Sequence, residues 1–407
     1  MNDVAATKPK QVIRLSQRSE NVTPSASMGI EARIGEMRAA GEPVISFGVG
    51  EPDFPTPEII KEAGHEAINT NQTKYTPAGG TVALRKAIGA QLKADTGLDY
   101  KPSQITVTNG AKEALYLAFQ ALCDKGDEVL VPAPYWVSYL EQVKLAEATP
   151  VIIPTTLETG FKVTFEMLRT ATSPRTRILI LNSPSNPTGM VYTQADLEAV
   201  VEWARTNEAI IITDEIYDRV LYVDNYVRLL TIAPDLAERT IVINGLSKTY
   251  SMTGWRIGYA AGPEVIIKAM AKIQSHSTSH PSSISQYAAL KAYTTGLKAE
   301  VDKMVAAFRE RRDWIVDALN QIPGVRCLQP EGAFYVFPDF SEVLGRELKG
   351  GKVCQTTADL AEYLLDEAKV GIVHGEAFGA PGCARLSYAL SLDKIKEGVG
   401  RIKAALS

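Results

Sequence analysis

From about residue 100 to residue 275, short β-branched and apolar runs alternate with longer stretches in which apolar positions recur every three or four residues. That rhythm is the one expected of an α/β sheet with helices packed on its faces. Strands are predicted at residues 105–108, 128–131, 150–153, 177–182, 209–213, 240–244 and 256–260. Several are unbroken Ile/Val/Leu runs without polar alternation, which predicts central strands covered on both sides. Helices are predicted at residues 112–122, 194–205 and 263–275, the second opened by Thr193 as N-cap. After about residue 290 the texture changes to a long charged helical pattern, TGLKAEVDKMVAAFRERRDWIVDALNQI, followed by short strand-like pieces, AFYVF and ARLSYAL.

A chain of 407 residues exceeds one core of ordinary size. The expected organisation is a large domain over residues 50–290 and a smaller α+β domain built from residues 1–49 plus 291–407. The first 49 residues hold one helical stretch and too little apolar material to stand alone, so they are assigned to the smaller unit. A cleft between the two is the natural place for a ligand.

Composition narrows the partner. Hydrophobic residues make up 45% and charged residues 22%, within the range of folded globular proteins. With 43 basic and 47 acidic side chains, a net charge of -4 and no dense basic run, a nucleic-acid partner is not expected. Cys123, Cys327, Cys354 and Cys383 are widely spaced, which suggests free buried thiols and neither a disulfide framework nor a zinc site. His65, His276, His280 and His374 fall on no metal-ligand spacing. No apolar run approaches the roughly 20 residues of a membrane helix, and the start MNDVAATKPKQVIRL lacks a secretory apolar core, so the cytoplasm is the expected compartment.

Four motifs lie just past the ends of predicted strands: Asn109-Gly110-Ala111-Lys112, the stretch from Asn182 to Gly189 (NSPSNPTG), Asp214-Glu215-Ile216-Tyr217, and the stretch from Ser247 to Arg256 (SKTYSMTGWR). Ligands of open α/β sheets bind outside the carboxyl ends of the strands, so these loops could converge on one molecule. The run GLSKTYSMTGWRIG resembles the lysine attachment segment of the class I aminotransferases, and NPTG, DEIY and PYWVSY resemble that family's other signatures. The resemblance runs in order from about Gly48 to Ser387. Its TKY, GAKEAL and MTGWRIGY variants are most similar to those of prokaryotic aspartate aminotransferases.

The resemblance implies pyridoxal phosphate as cofactor and a helix-sandwiched, mostly parallel sheet of the type I fold. Lys248 would carry the cofactor as a Schiff base and then move the substrate's α-proton, because an amine can do both. Asp214 would pair with the pyridine nitrogen and keep the ring cationic. Tyr217 and Asn186 would hydrogen-bond the ring's phenolic oxygen. Gly110, Ala111 and Lys112 would offer the phosphate a helix N-terminus, and Arg256 a charged fork. Tyr75, in Thr73-Lys74-Tyr75, would reach the phosphate of a neighbouring subunit, which implies a homodimer with shared sites. Trp136 would lie against the ring and help position substrate, Arg385 would grip the substrate α-carboxylate, and Gly50 would let the backbone close over it.

The chain departs from the family pattern in two places. Some relatives carry a serine three residues before the lysine, where this chain has Gly245, and Ser247 is a possible substitute. Some hold a distal carboxylate with an arginine, yet residues 274–281 contain none. Lys112 is then the candidate cation, and the expected reaction is two-stage amino transfer from aspartate to 2-oxoglutarate. Broader specificity towards aromatic or prephenate-type acids, a lyase or synthase on the same scaffold, and a cofactor-sensing regulator are the alternatives. The last would need a DNA-binding segment that residues 1–49 are neither long nor basic enough to supply.

Overall fold

The computed structural model describes residues 13–407. Most of the opening segment read above for a secretory leader therefore lies outside the described residues. The centre is a seven-stranded sheet: β1 (Ile105–Thr108), β2 (Glu128–Ala133), β3 (Thr149–Pro154), β4 (Thr176–Asn182), β5 (Ile210–Asp214), β6 (Thr240–Gly245) and β7 (Gly258–Ala261). In space they run β1-β7-β6-β5-β4-β2-β3. All neighbours pair in parallel except β7, which is antiparallel to both β1 and β6. All seven predicted strands exist, the first with the predicted bounds and the others with ends displaced by at most two residues.

Side-chain alternation along each strand divides the core into two layers. Val129, Val131, Ile241 and Ile243 face the helices Ala111–Leu122, Ser138–Leu145 and Glu264–Ser277. Leu130 and Val242 face the opposite way, towards Glu58–Asn69, Val82–Thr96, Gln194–Arg205 and Ser283–Thr294. β1 and β6 are buried along their whole length, polar Thr106, Thr108, Thr240 and Asn244 included, whereas β3, at the sheet's edge, is largely exposed. Thr193 caps its helix as predicted, in a reciprocal capping box with Asp196.

A separate apolar core is formed by the helices Lys298–Asn320, Thr357–Glu367 and Leu392–Leu406 and a three-stranded antiparallel sheet. That sheet pairs Val373–His374 and Tyr335–Val336 with the two sides of Ala384–Ser387. Ile45 and Phe47 join this core, and Ile45–Ser46 pairs in parallel with Val370–Gly371. The chain segment before residue 50 is thus tied to its C-terminal part. Among the described residues no helix is long and apolar enough to cross a membrane, and no cluster of side chains suits a metal. The four cysteines are buried free thiols, as expected.

Candidate active site

The parallel strands all end at one edge of the sheet, and their loops supply the cleft. Helix Ala111–Leu122 starts after β1, Trp136 follows β2, Asn186 follows β4, Asp214 ends β5 with Tyr217 just beyond, and Lys248 follows β6. β7 runs the other way, so its beginning, not its end, lies at this edge: Gly258 is in register with both Thr108 and Gly245. Arg256, two residues earlier, is delivered beside the other loops. The resulting cleft of about 450 Å³ is of the size of a small-molecule site. It is lined by every site residue named from the sequence except Gly110 and Tyr75.

The Lys248 amine donates to the carbonyl of Gly50. Desolvation in the cleft, reinforced by the charges of Arg385 and Arg256 and opposed by Glu51 and Asp214, brings its pKa down to about 8. Asp214 falls on the same face of β5 as Ile212, and so points to the helix Ser138–Leu145, whose Tyr139 hydroxyl donates to it at 2.7 Å. Burial raises the Asp214 carboxyl to about 6, against the pull of Tyr139, the Ile216 N–H and Lys248. Tyr217 and Tyr335 share a hydrogen bond of 2.8 Å between their hydroxyls, and burial holds the Tyr217 phenol well above its ordinary range.

Arg385 lies in the strand Ala384–Ser387, only 3% exposed. It donates to Asn186 Oδ1 at 3.0 Å and to the Gly48 carbonyl at 2.7 Å, while its Nε is buried without a partner. Both partners are neutral, so the guanidinium charge is uncompensated in the site. Such an arrangement is costly unless an anion arrives. The rings of Tyr335 and Phe378 lie 4.7 and 5.1 Å from its centre and fix its plane.

At the other end, the first turn of helix Ala111–Leu122 offers N–H groups without intrahelical partners. Gly110 caps it with φ +83, and a Cβ there would sit 2.5 Å from the Arg256 guanidinium. Only glycine permits both the backbone turn and that approach. Arg256 itself adopts a left-handed backbone, φ 55, and its fork is held by the carbonyls of Thr253 at 2.8 Å and Asn109 at 3.3 Å. Lys112 lies 5.0 Å over the Trp136 ring, and its pKa is lowered by burial and by Arg256. Trp136 meets Tyr139 edge to face at 5.4 Å.

These donors fit pyridoxal phosphate. The glycine cradle, helix N-terminus and Arg256 suit its phosphate, Asp214 its ring nitrogen, Tyr217 and the Asn186 amide its phenolic oxygen, and the Lys248 amine its aldehyde. Gly245 is explained as well: a Cβ there would meet the Ile257 carbonyl at 2.8 Å and Gly258 Cα at 2.9 Å, so the strand crossing leaves no room for serine. Ser247 lines the cleft instead. Tyr75 is 92% exposed and stacks edge-on with His280 at 5.5 Å, away from the cleft of its own chain.

Sequence reasoning missed Tyr139 and Tyr335. Tyr139 sits three residues after Trp136, a helical spacing that places two aromatics on one face, and that spacing was its available signal. Tyr335, inside AFYVF, carries no signal beyond a hydroxyl in an apolar strand.

A helix-sandwiched, mostly parallel sheet with a lysine, a buried aspartate and an anion cradle at one strand edge defines a pyridoxal-phosphate enzyme of the type I fold. The chain belongs to the class I and II aminotransferases, whose family model matches residues 42–402. It is 49% identical to an aspartate aminotransferase of Geobacillus stearothermophilus, over 96% of this chain and 98% of that one. Its structure resembles that of the aspartate aminotransferase from Rhizobium meliloti, with TM-score 0.93 at 43% identity, covering 97% of this chain and 99% of that one. It also resembles the aspartate aminotransferase from Thermus thermophilus with maleate, with TM-score 0.90 at 40% identity, covering 96% and 99%.

Proposed function

We propose that the chain transfers the amino group of L-aspartate to 2-oxoglutarate in two stages, the first product leaving before the oxo acid enters. The observation that carries this is Arg385, a buried guanidinium whose partners are neutral and whose Nε–H has no acceptor, facing the same cleft as Lys248. An α-carboxylate bound there sets the substrate's amine and α-carbon towards Lys248. The bound cofactor supplies an electron-withdrawing ring conjugated to the nitrogen taken from the substrate.

The chain's own groups do the rest. Lys248, with a pKa of about 8, has a neutral fraction near physiological pH and serves as the base that takes the α-proton and returns it elsewhere. Asp214 provides a fixed anion for the ring nitrogen, and Tyr139 holds its orientation. Tyr217 and Asn186 donate to the phenolic oxygen. Arg256 and the N–H groups of Ala111 and Lys112 anchor the phosphate; Trp136 covers the ring and excludes water, and Gly50 lets the backbone lie close over the site. Lys112 extends towards the substrate's distal carboxylate. The presence of maleate, a dicarboxylate, in the Thermus enzyme supports a diacid preference.

The two apolar cores support a division into a domain of residues 50–290 and a second of residues 1–49 plus 291–407. The exposed Tyr75 supports a homodimer in which it completes the partner's phosphate site, and the cytoplasm is the compartment assigned. Purified holoenzyme assayed against a panel of amino donors tests the reading. Highest turnover is expected for aspartate with 2-oxoglutarate; a preference for uncharged donors by more than tenfold would contradict the diacid assignment.

A further inference from the structure

We propose that Tyr335 is a positioning residue for Tyr217: its hydroxyl donates to the Tyr217 oxygen and so strengthens Tyr217's own donation to the cofactor's phenolic oxygen. The inference rests on the cofactor placement proposed above. Tyr335 lies on the strand Tyr335–Val336, fully buried, with its hydroxyl 2.8 Å from that of Tyr217. The backbone of Gly50 covers it, since a Cβ at Gly50 would stand 2.8 Å from the Tyr335 oxygen. Packing alone does not require this hydroxyl. Phenylalanine would fill the same volume and keep the stack with Arg385, so the buried hydroxyl carries a desolvation cost that calls for a use.

Direction follows from counting protons. Each phenol has one, and in the free site either can be the donor. Once an acceptor oxygen lies on the far side of Tyr217, that proton is committed there, and only Tyr335 can supply the bond between the two rings. Two donors in series reinforce each other where water is excluded. Arg385, 4.7 Å over the Tyr335 ring, draws electron density from it and makes it the better donor. Burial raises the Tyr335 phenol and Arg385 counteracts that rise, so it stays a neutral donor in the working range.

Donation stabilises the phenolic oxygen as an anion, so it lowers the pH at which the Lys248 linkage loses its proton; weakening it raises that pH. The test is a spectrophotometric titration of the holoenzyme's visible absorbance. Tyr335→Phe is expected to raise the midpoint by about half a pH unit, a fraction of one neutral hydrogen bond. Tyr217→Phe should raise it further, and adding Tyr335→Phe to Tyr217→Phe should do nothing more, because the relay is already cut. The KM for aspartate should change less than twofold, since Phe keeps the ring against Arg385. Borohydride trapping on Lys248 is read first: wild-type protein without a trapped lysine overturns the cofactor placement itself. With trapping intact, an unmoved midpoint in Tyr335→Phe, or an equal shift in both backgrounds, overturns the role of Tyr335.

Discussion

Burial shifts Lys248 and Asp214 towards their neutral forms without neutralising either near pH 7: the amine is pulled down to about 8, the acid pushed up to about 6. The apo protein therefore carries a pH-dependent cost at Lys248. The folded pKa lies below the ordinary 10.5, so the folded state binds fewer protons at this group between about pH 8 and pH 10.5, and stability rises with pH across that window. Lys248→Met should accordingly stabilise the apo protein by roughly 1–3 kcal/mol below pH 8, with the gain fading towards pH 10.5. Urea melts at several pH values measure this; a gain that stays constant with pH would refute the linkage. The same substitution should abolish the borohydride-trapped adduct. Lys112 is separable from both, being positioned by the Trp136 ring 5.0 Å away. Truncation to Ala should cost roughly 1.5–3 kcal/mol, one to two decades in kcat/KM, for aspartate and glutamate only. Equal losses for an uncharged donor would assign Lys112 to the phosphate. Lys112, Asp214, Lys248 and Arg256 were legible in the sequence because each stands beside a strand end inside a recognisable motif, whereas Arg385, inside the strand Ala384–Ser387, was legible only through the family resemblance. Tyr139 and Tyr335 were not, because a phenol within an apolar run reads as core until its hydroxyl partner is known.

At the level of elements, one reversed strand organises half the cleft. β7 brings Arg256 to the edge where the parallel strands end, and its crossing over Gly245 and Gly110 leaves no space for side chains there. The sequence pattern marked a strand at residues 256–260; the observed strand begins at Gly258, because Arg256 is spent on a left-handed turn that aims its guanidinium. Apolar runs do not encode direction, and so the single antiparallel strand was invisible before the structure. Gly245→Ser should destabilise the protein by about 1–3 kcal/mol through overpacking against Ile257 and Gly258. Gly110→Ala should weaken phosphate retention as well, since it strains a positive φ and displaces Arg256. Denaturant titration and cofactor dissociation distinguish the two. A Gly245→Ser protein as stable as wild type would show that the crossing relaxes readily.

On the scale of the molecule, the groups that line the cleft come from two cores. Lys248, Asp214 and Asn186 rise from the seven-stranded sheet, while Arg385 and Tyr335 come from the antiparallel sheet, bridged by the Arg385–Asn186 and Tyr217–Tyr335 hydrogen bonds. The change of texture near residue 290 and the shortage of apolar residues before position 50 are the sequence signals that bear on the second core, which also takes in Ile216, Tyr217, Val220 and Tyr222. Which side chains meet across the boundary was not legible, because no periodicity reports contacts between residues over a hundred positions apart. If Tyr75 completes a partner's site, mixing an inactive Tyr75 variant with Lys248→Ala should restore part of the activity through hybrid dimers. No recovery, with a monomer seen by light scattering, would exclude a shared site. The central claim is tested most directly by the half-reaction: holoenzyme is mixed with L-aspartate and no oxo acid, and oxaloacetate is quantified. One equivalent per active site is expected, after which 2-oxoglutarate restores the original absorbance and releases glutamate. Continuous product formation without an acceptor, or no product at all from protein with cofactor on Lys248, would contradict amino transfer from aspartate.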